Sequence, residues 1–183
     1  MRPALGLLAL VACGPPEIEG AVTFTSQHLV VHADPQYALC EGSLARADAF
    51  LEAVAGFLGV PVPQVEYNLY GGLHDACGLG FPGDCTLDGE IWSASWIHDH
   101  EMVHAVAAPW GRPPAFLVEG LAEGLGSHYP LLGPDERRTF DLGAELDSVV
   151  FFSGSLEEID RAYRASGDFF VYLVRRSSGP SSG

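Results

Sequence analysis

Two histidines four residues apart, with a glutamate directly after the first, stand at His100-Glu101-Met102-Val103-His104. On a helix, positions i and i+4 share one face, so both imidazoles can reach a single cation. That spacing suits tetrahedral zinc, which takes imidazole nitrogen at about 2.0–2.1 Å. Glu101 can reach a water on the open metal position, take its proton and pass it to a leaving amine. The chemistry expected of such a set is metal-assisted hydrolysis. Met102, Val103, Ala105 and Val106 are apolar, so the helix should be mostly buried. Two ionisable rings in such a helix need partners, which a metal would provide.

A zinc site needs a third protein ligand, and the next helical stretch, Phe116-Leu117-Val118-Glu119-Gly120-Leu121-Ala122-Glu123, offers Glu119. A helix end, a Pro-rich turn and an antiparallel return can bring Glu119 back beside the histidines. Glu123 lies one turn further on the same face, where it can accept the remaining N–H of a ligand histidine. Gly120 and Ala122 are small, as close helix packing requires. Both glutamates could instead form a solvated acidic stripe.

His100 to His104, followed by Phe116 to Ala122, resembles the gluzincin metallopeptidases, a clan that includes thermolysin and the aminopeptidase N-like enzymes. The resemblance implies Zn2+ as cofactor, His100, His104 and Glu119 as its ligands, Glu101 as general base and a peptide or protein substrate. It implies that Trp92 and its neighbours form the edge strand above the cleft, where an extended substrate adds as another strand. Ala162-Tyr163-Arg164-Ala165-Ser166-Gly167 is similar to a segment of the aminopeptidase N-like enzymes whose tyrosine donates a hydrogen bond to the oxyanion, the role implied for Tyr163. Packing against Phe169, Phe170 and Leu173 is the alternative for that tyrosine. The resemblance covers roughly Ser93 to Arg176. No G-x-M-E-N exopeptidase loop is present, and His128 is only a candidate for a thermolysin-like catalytic histidine. Arg112 is expected to brace the Pro turn rather than bind a substrate carboxylate. His98 and Asp99 lie off the metal face, with supporting or surface roles expected.

The elements that must position these residues follow from periodicity. Val22–Thr25, His28–His32, Val65–Tyr70 and Glu90–Ala94 read as short strands. Ser43–Leu58 is a helix with Leu44, Ala47, Leu51, Val54 and Leu58 on one face, Ser43 as its cap and Gly59 as its stop. Trp96–Ala108, Ala115–Ser127 and Asp160–Arg176 are further helices, and 135–155 should be partly helical. Strands first and helices after predict an α+β fold. With the resemblance, the expectation is zincin-like: a small antiparallel or mixed sheet, then the active-site helix and further helices.

The chain has 183 residues and a formal net charge of −15, with nine arginines and no lysine. Such a balance argues against nucleic acid and against a polybasic membrane surface. The length predicts one domain, placed at 21–176. Arg2, an apolar run to Ala12 and then Cys13 read as a signal peptide over 1–12. Leu10-Val11-Ala12-Cys13 resembles the bacterial lipobox, which implies lipidation of Cys13 and attachment to the cell envelope, at the outer membrane or surface. Residues 13–20 read as a tether and 177–183 as a low-complexity tail. Cys40, Cys77 and Cys85 remain; Cys77 and Cys85 bracket a Gly/Pro-rich loop that can close, while Cys40 pairing with either is also open. The expected function is a lipid-anchored zinc peptidase. The alternative is a surface binding lipoprotein with a gluzincin-like fold and a non-catalytic metal site.

Overall fold

The apolar alternation of Leu29, Val31 and Ala33 puts three side chains on one face of a strand, and all three are fully buried. This strand, β2 (Leu29–Ala33), pairs antiparallel with β1 (Val22–Thr25) and parallel with β3 (Val65–Leu69). Parallel neighbours need a long crossover. It is supplied by α1 (Glu41–Leu58), whose Leu44, Ala47, Leu51 and Val54 are buried. β5 (Glu90–Ser93) runs parallel to β3, and β4 (Cys85–Leu87) pairs antiparallel with β5. The sheet order is β1-β2-β3-β5-β4. The structure is a computed structural model that describes residues 20–71, 77, 83–126, 151 and 154–177.

Three helices follow the sheet: α2 (Asp99–Ala107), α3 (Ala115–Gly126) and α4 (Leu156–Ser177). A 3-10 turn, Ala108–Trp110, joins α2 to the Pro-rich link before α3. Among the described residues the architecture is therefore mixed α+β, with a five-stranded mixed sheet and four α-helices. Met102, Val103 and Val106 of α2 join Tyr67, Leu69, Ile91 and the buried face of α1 in one core. No helix among the described residues is long and apolar enough to cross a membrane.

Several expectations need correction. Trp92 is not on the edge of the sheet: β4 lies outside β5, so β4 is the edge strand. It was hidden because a three-residue strand carries no period. Its signal was Asp88-Gly89, both at positive φ (51° and 89°), which closes a two-residue hairpin turn. Helix α1 begins at Glu41, with Cys40 rather than Ser43 at the cap position; the Ser43 hydroxyl sits 2.9 Å from the Cys40 sulfur inside the first turn. Gly59 ends that helix at φ 68°, a left-handed conformation that glycine adopts without strain. Helix α4 begins four residues before Asp160. Ser155 and Glu158 form a reciprocal cap there: Glu158 Oε2 accepts the Ser155 N–H at 2.8 Å, and Ser155 Oγ accepts the Glu158 N–H at 3.3 Å.

Cys77 and Cys85 form a disulfide, and Cys40 is free and exposed. The alternative pairings with Cys40 are therefore not adopted. Residues 1–12, read as a signal peptide, together with Cys13, His128 and nearly all of 135–155, lie outside the described residues.

Candidate metal centre

Helix α2 is set in place at its N-terminus by three groups. Asp99, its first residue, is gripped by Arg46 of α1 at 2.8 and 3.3 Å. The paired carboxylate also sits where helix N–H groups favour negative charge. Asp99 is thus a buried anchor, not a surface group or a support of the metal ligands. Tyr67, in the middle of β3, donates its hydroxyl to the Ser95 carbonyl at 2.6 Å and accepts the His98 N–H at 3.1 Å. Burial pushes its phenol pKa well up, so the hydroxyl keeps its proton. His98 pairs with Asp84 at 3.3 Å, and Asp84 also accepts the Ala94 N–H at 2.7 Å.

Helix α3 then brings two carboxylates against α2. Its C-terminus approaches α2 closely: a Cβ at Gly126 would lie 2.7 Å from the Asp99 carbonyl oxygen. Its other side meets α4, where a Cβ at Gly120 would lie 2.6 Å from the Ser166 carbonyl oxygen. The small residues expected of close packing are present, and Gly120 serves the contact with α4.

His100, His104 and Glu119 converge. His100 Nε2 lies 3.0 Å from His104 Nε2 and 3.1 Å from Glu119 Oε2, and His104 Nε2 lies 3.3 Å from the same oxygen. A tetrahedral ion with bonds of about 2.0–2.1 Å needs donor–donor edges of roughly 3.3 Å. The three donors therefore fit one face of a metal tetrahedron without rearrangement. They form the group among the described residues that could hold a metal ion. The other nitrogen of His100, Nδ1, lies 2.9 Å from Glu123 Oε1. Glu119 and Glu123, one turn apart, thus address the two nitrogens of one ring.

The electrostatics match a cation site. Burial disfavours charge on His100, but hydrogen bonds to Glu119 and Glu123 outweigh it and raise its pKa to about 10. Burial likewise opposes charge on Glu119, yet hydrogen bonds to His100 and His104 lower its pKa to about 2. Without metal, a proton on His100 takes the place a cation would fill.

Glu101 is 6% exposed and faces the same cleft as the donor triangle. Its Oε2 lies 2.8 Å from the Thr86 hydroxyl on β4, which is also 3.0 Å from the Glu101 carbonyl oxygen. Tyr163 of α4 lines the cleft too, its ring centroid 5.8 Å from that of His100. It also packs on Phe151, in a cluster that includes Phe169, one of the three partners expected for the packing alternative. Burial and the carboxylates of Glu119, Glu101 and Glu123 push its phenol pKa well up, which keeps it a donor.

The cleft has a volume of about 1290 Å³. One wall is the β4–β5 hairpin with Thr86, Leu87, Asp88 and Gly89; the other includes Trp110, Pro113, Leu117, Leu121 and Phe170. The described contact of Arg112 is with the hairpin rather than within the Pro turn. Arg112 is 88% exposed and reaches from that wall to within 3.9 Å of Asp88 on the hairpin. Sequence reasoning missed Thr86 and the Arg46–Asp99 pair. The hairpin turn could have placed Thr86 on a strand, but nothing local couples it to Glu101. Comparison with known protein families, with curated proteins and with solved structures gives no match.

Proposed function

We propose that this chain is a zinc-dependent peptidase of the gluzincin type. The convergence of His100, His104 and Glu119 at tetrahedral edge lengths, with Glu101 in the same cleft, is the observation that carries the reading. Zinc in this triangle would supply Lewis acidity, polarising a carbonyl and lowering the pKa of water. Glu101 takes the proton of the attacking water and delivers it to the departing nitrogen. Tyr163, kept protonated by its surroundings, donates a hydrogen bond to the oxyanion. Glu123 accepts the Nδ1–H of His100, orienting that ring with Nε2 toward the triangle.

The cleft is larger than a typical small-molecule pocket and suits several residues of an extended chain. β4 is the edge strand on its rim, where a peptide can add its main chain. The lipobox-like Leu10-Val11-Ala12-Cys13 supports a lipid anchor at the bacterial envelope, with the catalytic domain held beside the membrane. The binding-lipoprotein reading gives Glu101 no task, and structural zinc sites are closed by four protein ligands, whereas three converge here among the described residues.

The test is metal analysis and peptide cleavage on the purified chain, Glu119→Ala and Glu101→Gln. Zinc at one equivalent in the parent, lost in Glu119→Ala and kept without cleavage in Glu101→Gln, is the expected result. Zinc retained by Glu119→Ala removes the third ligand. Zinc bound by a parent that cleaves no peptide leaves the binding lipoprotein standing.

A further inference from the structure

Thr86 belongs to none of the roles assigned so far, yet its hydroxyl meets Glu101, the cleft carboxylate proposed to move the proton. It lies 2.8 Å from Glu101 Oε2 and 3.0 Å from the Glu101 carbonyl oxygen. A single hydroxyl hydrogen cannot serve both acceptors fully, and the charged carboxylate is the stronger one. We propose that Thr86 is a positioning residue for Glu101: it holds Oε2 and leaves Oε1 as the oxygen that receives the proton of water. The inference rests on the peptidase reading and adds to it a residue from the sheet rather than from the two ligand helices.

The fold favours this. Successive side chains of a strand point to opposite faces. Cys85 packs with Tyr70 and Trp92 on one face of β4, which sends Thr86 to the other, toward α2. β4 is held at one end by the Cys77–Cys85 disulfide and at the other by the Asp88-Gly89 turn. The hydroxyl is therefore presented from a fixed support, which a glutamate with three rotatable side-chain bonds needs if it is to stay within reach of one proton. A purely structural Thr86, tying β4 to the main chain of α2, would use the carbonyl contact alone.

The comparison is between Thr86→Val, which keeps shape and strand preference but loses the hydroxyl, and Thr86→Ser, which restores it. All are made in the 183-residue chain and assayed with zinc on a quenched fluorescent peptide that the parent cleaves. In Thr86→Val kcat should fall about 10- to 100-fold, with KM and zinc content unchanged, and Thr86→Ser should recover most of it. A second readout needs no turnover. The side-chain carboxyl carbon resonance of Glu101 in the metal-free protein, identified by its loss in Glu101→Gln, should shift in Thr86→Val and return in Thr86→Ser. Should the valine variant not fold, Thr86→Ala against Thr86→Ser carries the same comparison. Unchanged kcat in the hydroxyl-less variant, an unmoved resonance, or a serine variant as slow as valine overturns the assignment while the peptidase reading stands. A zinc-loaded parent that cleaves no peptide overturns both.

Discussion

Removing Glu123 should weaken zinc binding without touching a ligand atom. Its Oε1 lies 2.9 Å from His100 Nδ1, and the two side chains are only 5% and 9% exposed, so water cannot replace the contact. Hydrogen bonds to charged groups contribute about 1.5–3 kcal/mol. Loss of a group that orients a ligand histidine costs about 10- to 100-fold in metal affinity, or roughly 1.4–2.8 kcal/mol at 1.4 kcal/mol per tenfold. The two ranges agree, so Glu123→Ala should raise the zinc Kd by that factor. One effect opposes it. Glu123 also stabilises the proton that zinc must displace from His100. Near neutral pH the loss should therefore lie toward the lower end of the range. Competition against a chromophoric chelator measures it. Glu123→Gln keeps a carbonyl oxygen for the same N–H and should recover part of the loss. Equal affinity in the parent and Glu123→Ala, or glutamine no better than alanine, would refute the reasoning.

Gly126→Ala puts a methyl 2.7 Å from the Asp99 carbonyl, backbone against backbone; overpacking of about 1–3 kcal/mol should exceed the roughly 1 kcal/mol that alanine gains in a helix, and a lowered denaturation midpoint in urea is expected. The metal-free protein should lose the His100–Glu119 interaction at both ends of the pH range. His100 is raised from 6.5 to about 10, so its contribution is complete below pH 6.5 and is lost as pH rises through 10. Glu119 is lowered from 4.5 to about 2, so the same interaction, counted once, is present above pH 4.5 and is lost as pH falls through 2. Urea denaturation of the metal-free chain should show falling stability from pH 6.5 toward 10, and Glu119→Gln should flatten that slope. The Ser43 hydroxyl and N–H lower the Cys40 thiol pKa, so alkylation of Cys40 should begin at lower pH in the parent than in Ser43→Ala, followed by mass spectrometry.

The ligand helices were legible because their signals are local: two histidines at helical spacing, and an apolar stretch with two glutamates one turn apart. The strands β1 and β2 were legible from β-branched residues, and β3 and β5 from short stretches of apolar and aromatic residues, the first ended by Gly71-Gly72. What escaped depends on partners distant in sequence. Arg46 and Asp99 are 53 positions apart, and neither carries a mark of the other. Thr86 meets Glu101 only because β4 folds against α2, and β4 itself is too short for a periodic pattern. The placement of Trp92 on an edge failed for the same reason, since a covering strand of three residues went unseen. The early start of α4 was readable in Ser155 and Glu158, whose three-residue spacing is that of a reciprocal cap.

Helix α3 meets its neighbours at points where glycine lets main chain rest on main chain, Gly120 on α4 and Gly126 on α2. The location of Glu119 and Glu123 is consequently set by peptide groups, which have no alternative rotamers to choose among. Broad exchange of the apolar residues around α3 should leave the acidic pair where it is. A single inserted residue between Gly120 and Gly126, turning one end of the helix by about 100° relative to the other, would separate the pair from the imidazoles however well the rest of the chain folded.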